Sequence, residues 1–205
     1  CFTPSSYSAD ISDYLLNGCK WEEAPICPDY IGPVSIARTS DGRGRGLFAT
    51  RDIASGDIIL VSNAFATSYN DTHSIDLYTK ISSIVKESPR ALEQYYSLAG
   101  YGYHDEMDVP DVMLFDPNFP FSGSRSDSQE RLEIDEKRIV HILNVNSFEG
   151  EVGGFEGDKK PNMKINGLWL LPSFINHSCC PNASRLVVGE AMFIIASQDI
   201  QAKEE

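Results

Sequence analysis

Apolar residues in this chain recur with two different periods, and the order in which those periods change constrains the fold most. Val34-Ser35-Ile36-Ala37, Gly46-Leu47-Phe48-Ala49-Thr50 and Asp57-Ile58-Ile59-Leu60-Val61 are short runs bounded by turn residues, as strands are. From Ser74 the spacing turns helical, with Ile75, Tyr78, Ile81, Ile84 and Val85 on one face and Ser74 as the cap. Pro89 opens a second helix carrying Ala91, Leu92, Tyr95, Tyr96 and Leu98, closed by Gly100 and Gly102. Residues 104–128 are rich in Asp, Pro, Gly and Ser and read as loop; residues 129–145 read as a helix with Leu132, Ile139, Ile142 and Leu143 inward. After a polar, glycine-rich loop over 150–160, strand-like runs return at Leu168-Trp169-Leu170-Leu171 and Ala191-Met192-Phe193-Ile194-Ile195-Ala196. Two β portions separated by helices must meet in space if either is to bury its apolar face. The expected fold is α+β, with short strands in small sheets interrupted by a helical insertion over 62–165. Residues 1–30, broken by Pro4, Gly18, Pro25 and Pro28, read as a lead-in or linker.

Composition narrows the class. A hydrophobic fraction of 41% supports an ordinary core, and no apolar run approaches the ~20 residues that span a bilayer, so no membrane partner is expected. The 5 cysteines show no regular framework, which points to a reducing, intracellular compartment, nucleus and/or cytoplasm. A net charge of −13 argues against direct binding to nucleic acid. It suits a basic protein partner, although solubility alone would also account for it. The chain starts on Cys1 and stops on Lys203-Glu204-Glu205, so it reads as part of a longer protein.

Two segments carry chemistry. Gly42-Arg43-Gly44-Arg45-Gly46 places alternating glycines between strands. Such a turn lets a ligand approach the backbone with no Cβ in the way, and its arginines can attract an anionic group such as a carboxylate. An ordinary hairpin turn would show the same glycines. A dinucleotide site would need a helix to follow, whereas a strand does. Phe174-Ile175-Asn176-His177-Ser178-Cys179-Cys180-Pro181-Asn182 is the densest polar cluster and lies between two hydrophobic runs. Its side chains can hold a nucleoside or an amino-acid group. A zinc site would need about four ligands, and a Cys-His nucleophile would need two converging side chains.

In this order, the two segments resemble the SET methyltransferase family. Arg43-Gly44-Arg45-Gly46-Leu47-Phe48-Ala49-Thr50 is similar to its amino-terminal cofactor motif, and Phe174 to Asn182 to its Asn-His-Ser-Cys signature. Asn146-Ser147-Phe148 resembles the segment closing the inserted helices in SET–MYND proteins. Asp199-Ile200 with Glu204-Glu205 resembles the start of the final Gly-Glu-Glu motif, with Lys203 in the glycine position. The likeness implies a SET domain over 31–205, short of its C-terminal end, of a SET–MYND-like or tetratricopeptide–SET branch. It implies S-adenosyl-L-methionine as cofactor, held by backbone groups of Arg43, Gly44 and Arg45, with Asn146 on the methionine amine and Asn176 and His177 on the amino-acid and adenine parts. It makes Cys179 a zinc ligand completed by residues outside the chain, and places the catalytic tyrosine beyond Glu205. The implied reaction is methyl transfer to lysines on a basic segment of a protein substrate, histone or non-histone. The attacking amine must be neutral, as only about one lysine in a few thousand is at pH 7. The alternative is a SET-derived interaction module without catalysis.

Overall fold

The computed structural model describes residues 27–69, 74–100, 108–121, 134–152 and 163–205. Among these residues, nine strands form three antiparallel sheets. The largest has the order β1 (Tyr30–Ile31), β4 (Ile58–Asn63), β9 (Ala191–Ala196) and β8 (Ala183–Val188). Strands β2 (Val34–Arg38) and β3 (Arg45–Ala49) form a hairpin, and β5 (Ala66–Tyr69), β7 (Met163–Leu168) and β6 (Phe148–Val152) form the third sheet.

The β4–β9 pairing holds the two β portions together, with Val61 opposite Phe193 and Ser62 opposite Met192. Leu60, Val61, Met192 and Phe193 are almost wholly buried. A sheet paired from distant segments and apolar on its inner face is what the two β-rich regions required. A register shift between Ile58 and Leu60 bends β4 at its start. An isolated bridge from Ile53 to Ile200 extends the contact between the two portions.

Three helices pack together, α1 (Ile75–Glu87), α2 (Pro89–Tyr96) and α3 (Glu136–Asn146), and α1 lies against β5 of the third sheet. Helix α2 starts as its sequence dictates. Pro89 supplies a fixed φ at the first position, and Ser88 Oγ accepts a hydrogen bond from the Ala91 amide at 3.2 Å. In α3, Asp135 plays the same part for the Lys137 and Arg138 amides. Ser74 differs from the expected cap: it stands at φ 54° and makes no capping bond. Its Oγ instead accepts from Asn166 Nδ2 at 2.8 Å, which ties the start of α1 to β7. Tyr95 joins the helices by donating its hydroxyl to the Ile139 carbonyl at 2.7 Å, and burial pushes its phenol well above the ordinary range.

Three readings of the sequence need revision. The segment 62–165 is not helical throughout, because it also supplies β5, β6 and the start of β7. The strand expected at Leu168–Leu171 lies earlier, ending at Leu168, and Leu171–Phe174 is a single helical turn around Pro172. Gly167 explains the misplacement. It weakens the strand pattern, yet a Cβ there would fall 2.6 Å from the Trp169 ring. Third, α3 begins at Glu136, whereas the expected helix began at 129; Leu132 lies outside the described residues. Gly102 and most of the loop expected at 150–160 also lie outside them. The described part of the 104–128 loop holds one helical turn, Val112–Phe115, capped by Asp111. Among the described residues, no helix is long and apolar enough to cross a membrane.

Candidate functional site

The β2–β3 hairpin positions the glycine turn. Arg38 and Arg45 are partners in register, and the Thr39 amide donates to the Gly44 carbonyl at 2.9 Å. Gly42 and Gly44 take φ of 79° and 94°, conformations that side chains with a Cβ rarely adopt. Gly46 is held by proximity instead: a Cβ there would fall 2.5 Å from Glu205 Oε1 and 3.1 Å from Asn176 Nδ2.

The two arginines of the turn are used differently. Arg45 is buried, at 8% exposure. Its Nη1 donates to the Asp108 carbonyl at 2.8 Å, and its guanidinium lies 5.2 Å from the centre of the Phe174 ring. Phe174 in turn meets Phe115 edge-on. Desolvation lowers the Arg45 pKa, with the Arg38 charge acting the same way and Asp108 opposing. Arg43 lies on the surface between two carboxylates, with Nε 2.6 Å from Asp41 and Nη2 2.5 Å from Glu205. Its hydrogen bond with Asp41 raises the Arg43 pKa and lowers that of Asp41. The anionic groups that the turn attracts in this structure are therefore the chain's own.

The Asn-His-Ser-Cys segment follows the helical turn Leu171–Phe174 and reaches the hairpin through Asn176. The Asn176 Nδ2 group donates to the Arg45 carbonyl at 3.0 Å and to Glu205 Oε1 at 2.6 Å. The final residues close the arrangement. The Ala49 amide donates to the Glu204 carbonyl, the Lys203 amide to the Ala49 carbonyl, and Asn182 Nδ2 to the Glu205 carbonyl. Lys203 has φ 72°, a left-handed conformation that suits glycine best, at the position where the resembled motif has glycine.

The structure thus gathers Arg43, Gly44, Arg45 and Asn176 at one place. Asn146 lies at the end of α3, where its Nδ2 donates to the Ala99 and Ile142 carbonyls, each at 2.7 Å. His177 is exposed and turns toward Cys179, with Nε2 3.5 Å from Sγ. Those two side chains do converge across the bend between them. Among the described residues, His177 has no second hydrogen-bond partner to orient it as a base. Nor do three or more His, Cys, Asp or Glu side chains there gather to hold a metal. A structural zinc site takes four ligands, so these residues alone do not form one. The larger hollows lie elsewhere: one of about 360 Å³ is lined by Asp29, Asn63, Arg90, Gln94, Phe115 and Leu171. We give the motif cluster more weight, because convergent polar groups define a binding chemistry and volume alone does not.

Glu205, Asp41 and Asn182 were not expected to act in this cluster. Asp41 lies two residues from Arg43, so its ion pair was open to inference. Glu205 is 162 positions from Arg43, and no local pattern announces that contact.

Small antiparallel sheets interrupted by helices, with a glycine turn bonded to an Asn-His segment, define a class that the comparisons identify. The SET domain family model matches residues 44–205, and the chain belongs to that family. A protein of Gibberella zeae named "Methyltransferase" is 27% identical over 207 residues, which cover 87% of this chain and 27% of that protein. The chain therefore spans about a quarter of the length of that relative.

Proposed function

We propose that this chain is the cofactor-binding part of an S-adenosyl-L-methionine-dependent methyltransferase acting on lysine side chains of a protein substrate, histone or non-histone. The observation that carries this reading is the bond from Asn176 Nδ2 to the Arg45 carbonyl, which joins the two motifs across 131 positions. The name of the Gibberella zeae relative supports methyl transfer. The net charge of −13 supports a substrate segment that is basic.

The residues present fit the cofactor. Gly44 and Gly46 bring bare backbone to the cluster, and Asn176 supplies a directed polar group beside it. When bound, S-adenosyl-L-methionine supplies a methyl group on a sulfonium, and the protein's share is orientation and electrostatics. The hairpin and the Asn176 bond hold the two motifs against each other. The Phe174 ring, met edge-on by Phe115, packs against the Arg45 guanidinium. Zinc, with Cys179 among its ligands, is proposed only for the longer protein.

Calorimetric titration with S-adenosyl-L-methionine tests the reading. Saturable binding is expected, weakened about tenfold in Asn176→Ala, which removes both the bond that ties the two motifs together and the polar group offered to the cofactor. An absence of heat, or an unchanged Asn176→Ala titration, would refute it. Cofactor binding by the full-length protein, without transfer to any lysine-containing protein, would favour the non-catalytic interaction module.

A further inference from the structure

Residues 108–121 run between helix α2 and the glycine turn, and apolar burial does little to hold them. None of Val112, Met113, Leu114 and Phe115 is buried. Two hollows border the segment: the one of about 360 Å³ beside Phe115 and Pro117, and one of about 380 Å³ beside Val112, Met113, Asp116 and Asn118. What fixes the segment is polar. Arg90, in the first turn of α2, donates Nη1 to the Phe119 carbonyl at 2.8 Å and Nη2 to the Leu114 and Asp116 carbonyls at 2.9 and 2.5 Å. Gln94, one turn further along α2, donates to the same Leu114 carbonyl at 2.7 Å. Carbonyls at the end of a helical turn have no partner inside it and carry partial negative charge, which a cation satisfies. Reaching three of them at once calls for the rigid fork of a guanidinium. Among the described residues, no carboxylate forms an ion pair with Arg90.

The same segment meets the motif cluster at two points. Phe115 stands between Leu114 and Asp116, two of the residues that Arg90 holds, and its ring meets the Phe174 ring edge-on at 5.5 Å. The Asp108 carbonyl accepts from Arg45, whose guanidinium lies over Phe174. We infer that Arg90 is a positioning residue for the cofactor site: from α2, outside both motifs, it sets Phe115 against Phe174 and so holds the Arg45–Asn176 cluster in its binding arrangement. The inference rests on the cofactor reading above and carries the dependence of affinity into the helical insertion. Coupling of this kind is reciprocal, so bound cofactor must in turn favour the held segment.

The experiment uses the full-length protein with S-adenosylhomocysteine as probe, at a temperature well below the unfolding transition of every variant. Arg90→Ala and Phe115→Ala each weaken binding about fivefold, the size expected of a contact that does not touch the ligand. Because the two residues act in one chain of contacts, the double variant also binds about fivefold more weakly, where independent effects would multiply to about twenty-fivefold. In the unaltered protein, saturating probe slows amide exchange over residues 112–119 at least about threefold. If folded Arg90→Ala binds as the unaltered protein does, Arg90 is merely structural, and the inference falls while the cofactor reading stands. A double variant that shows the product of the two effects has the same consequence. Unchanged exchange over residues 112–119 overturns the inference too, without needing any variant to fold. Failure of the unaltered protein to bind the probe removes the cofactor reading, and the inference with it.

Discussion

Gly100 ends the run of chain after α2, at φ 123°, and its backbone lies against α3. A Cβ at this position would fall 2.8 Å from the His141 carbonyl oxygen and 3.0 Å from the Ile142 Cα. Both are backbone atoms of a packed helix, so relief requires α3 and the segment at Gly100 to move apart. Gly100→Ala therefore carries two penalties. The positive φ costs about 1–2 kcal/mol for a residue with a Cβ. The overpacking adds about 1–3 kcal/mol. Gly56 separates the two, because it has φ 89° and nothing within 4 Å of the added atom. Gly56→Ala should thus show the conformational cost alone. Urea unfolding of both variants, followed by far-ultraviolet circular dichroism, gives the difference through the midpoint at constant slope. For a domain of this size, the Gly100→Ala penalty corresponds to a fall in Tm of several degrees, about 2–4 °C per kcal/mol. If Gly100→Ala is no more destabilising than Gly56→Ala, the close approach of the chain at Gly100 to α3 is refuted.

Three further outcomes are expected. Tyr95→Phe removes the bond to the Ile139 carbonyl inside the helical layer and should cost about 1–2 kcal/mol in the same unfolding assay. Ser88→Ala removes the cap of α2 and should cost about 1 kcal/mol, with amide exchange rising first in residues 90–92. Asp41 has a carboxyl lowered from its ordinary value of 3.8 by the Arg43 hydrogen bond. A lowered folded-state pKa means that its contribution is present above the unfolded value and fades as pH falls through the folded one. The Asp41–Arg43 pair should therefore persist to below pH 3.8 when followed by carboxylate NMR, and Asp41→Asn should leave stability near pH 7 almost unchanged because the pair is exposed.

What the sequence made legible depends on how local the physical signal was. Strands β3, β4 and β9 are short apolar runs with turn residues beside them, and helices α1 and α2 keep a clear helical spacing. Strand β7 was misplaced because Asn166 and Gly167 break its apolar pattern for reasons that lie in other elements: Asn166 bonds Ser74, and Gly167 makes room for Trp169. Strand β8 was missed because Ser184, Arg185 and Leu186 are exposed along a sheet edge, where no alternation is required. At the site, Gly44, Arg45 and Asn176 are brought together as their order suggested. The partners of the Arg43 side chain were only half legible, because Asp41 is local and Glu205 is not. As an isolated cation Arg43 looks like a receptor for an external anion, and only the fold reveals Glu205 beside it.

The pairing of Val61 with Phe193 has a bearing on how such a chain reaches its native state. The β4–β9 pairing at the centre of the sheet cannot form until β9 has left the ribosome, whereas the helices between can form early from nearby contacts. Once closed, the sheet is nearly indifferent to how much chain lies in between, since doubling a flexible connection costs only about 0.6 kcal/mol. Folding speed, far more than stability, should therefore set the limit on what this architecture can carry between its two halves.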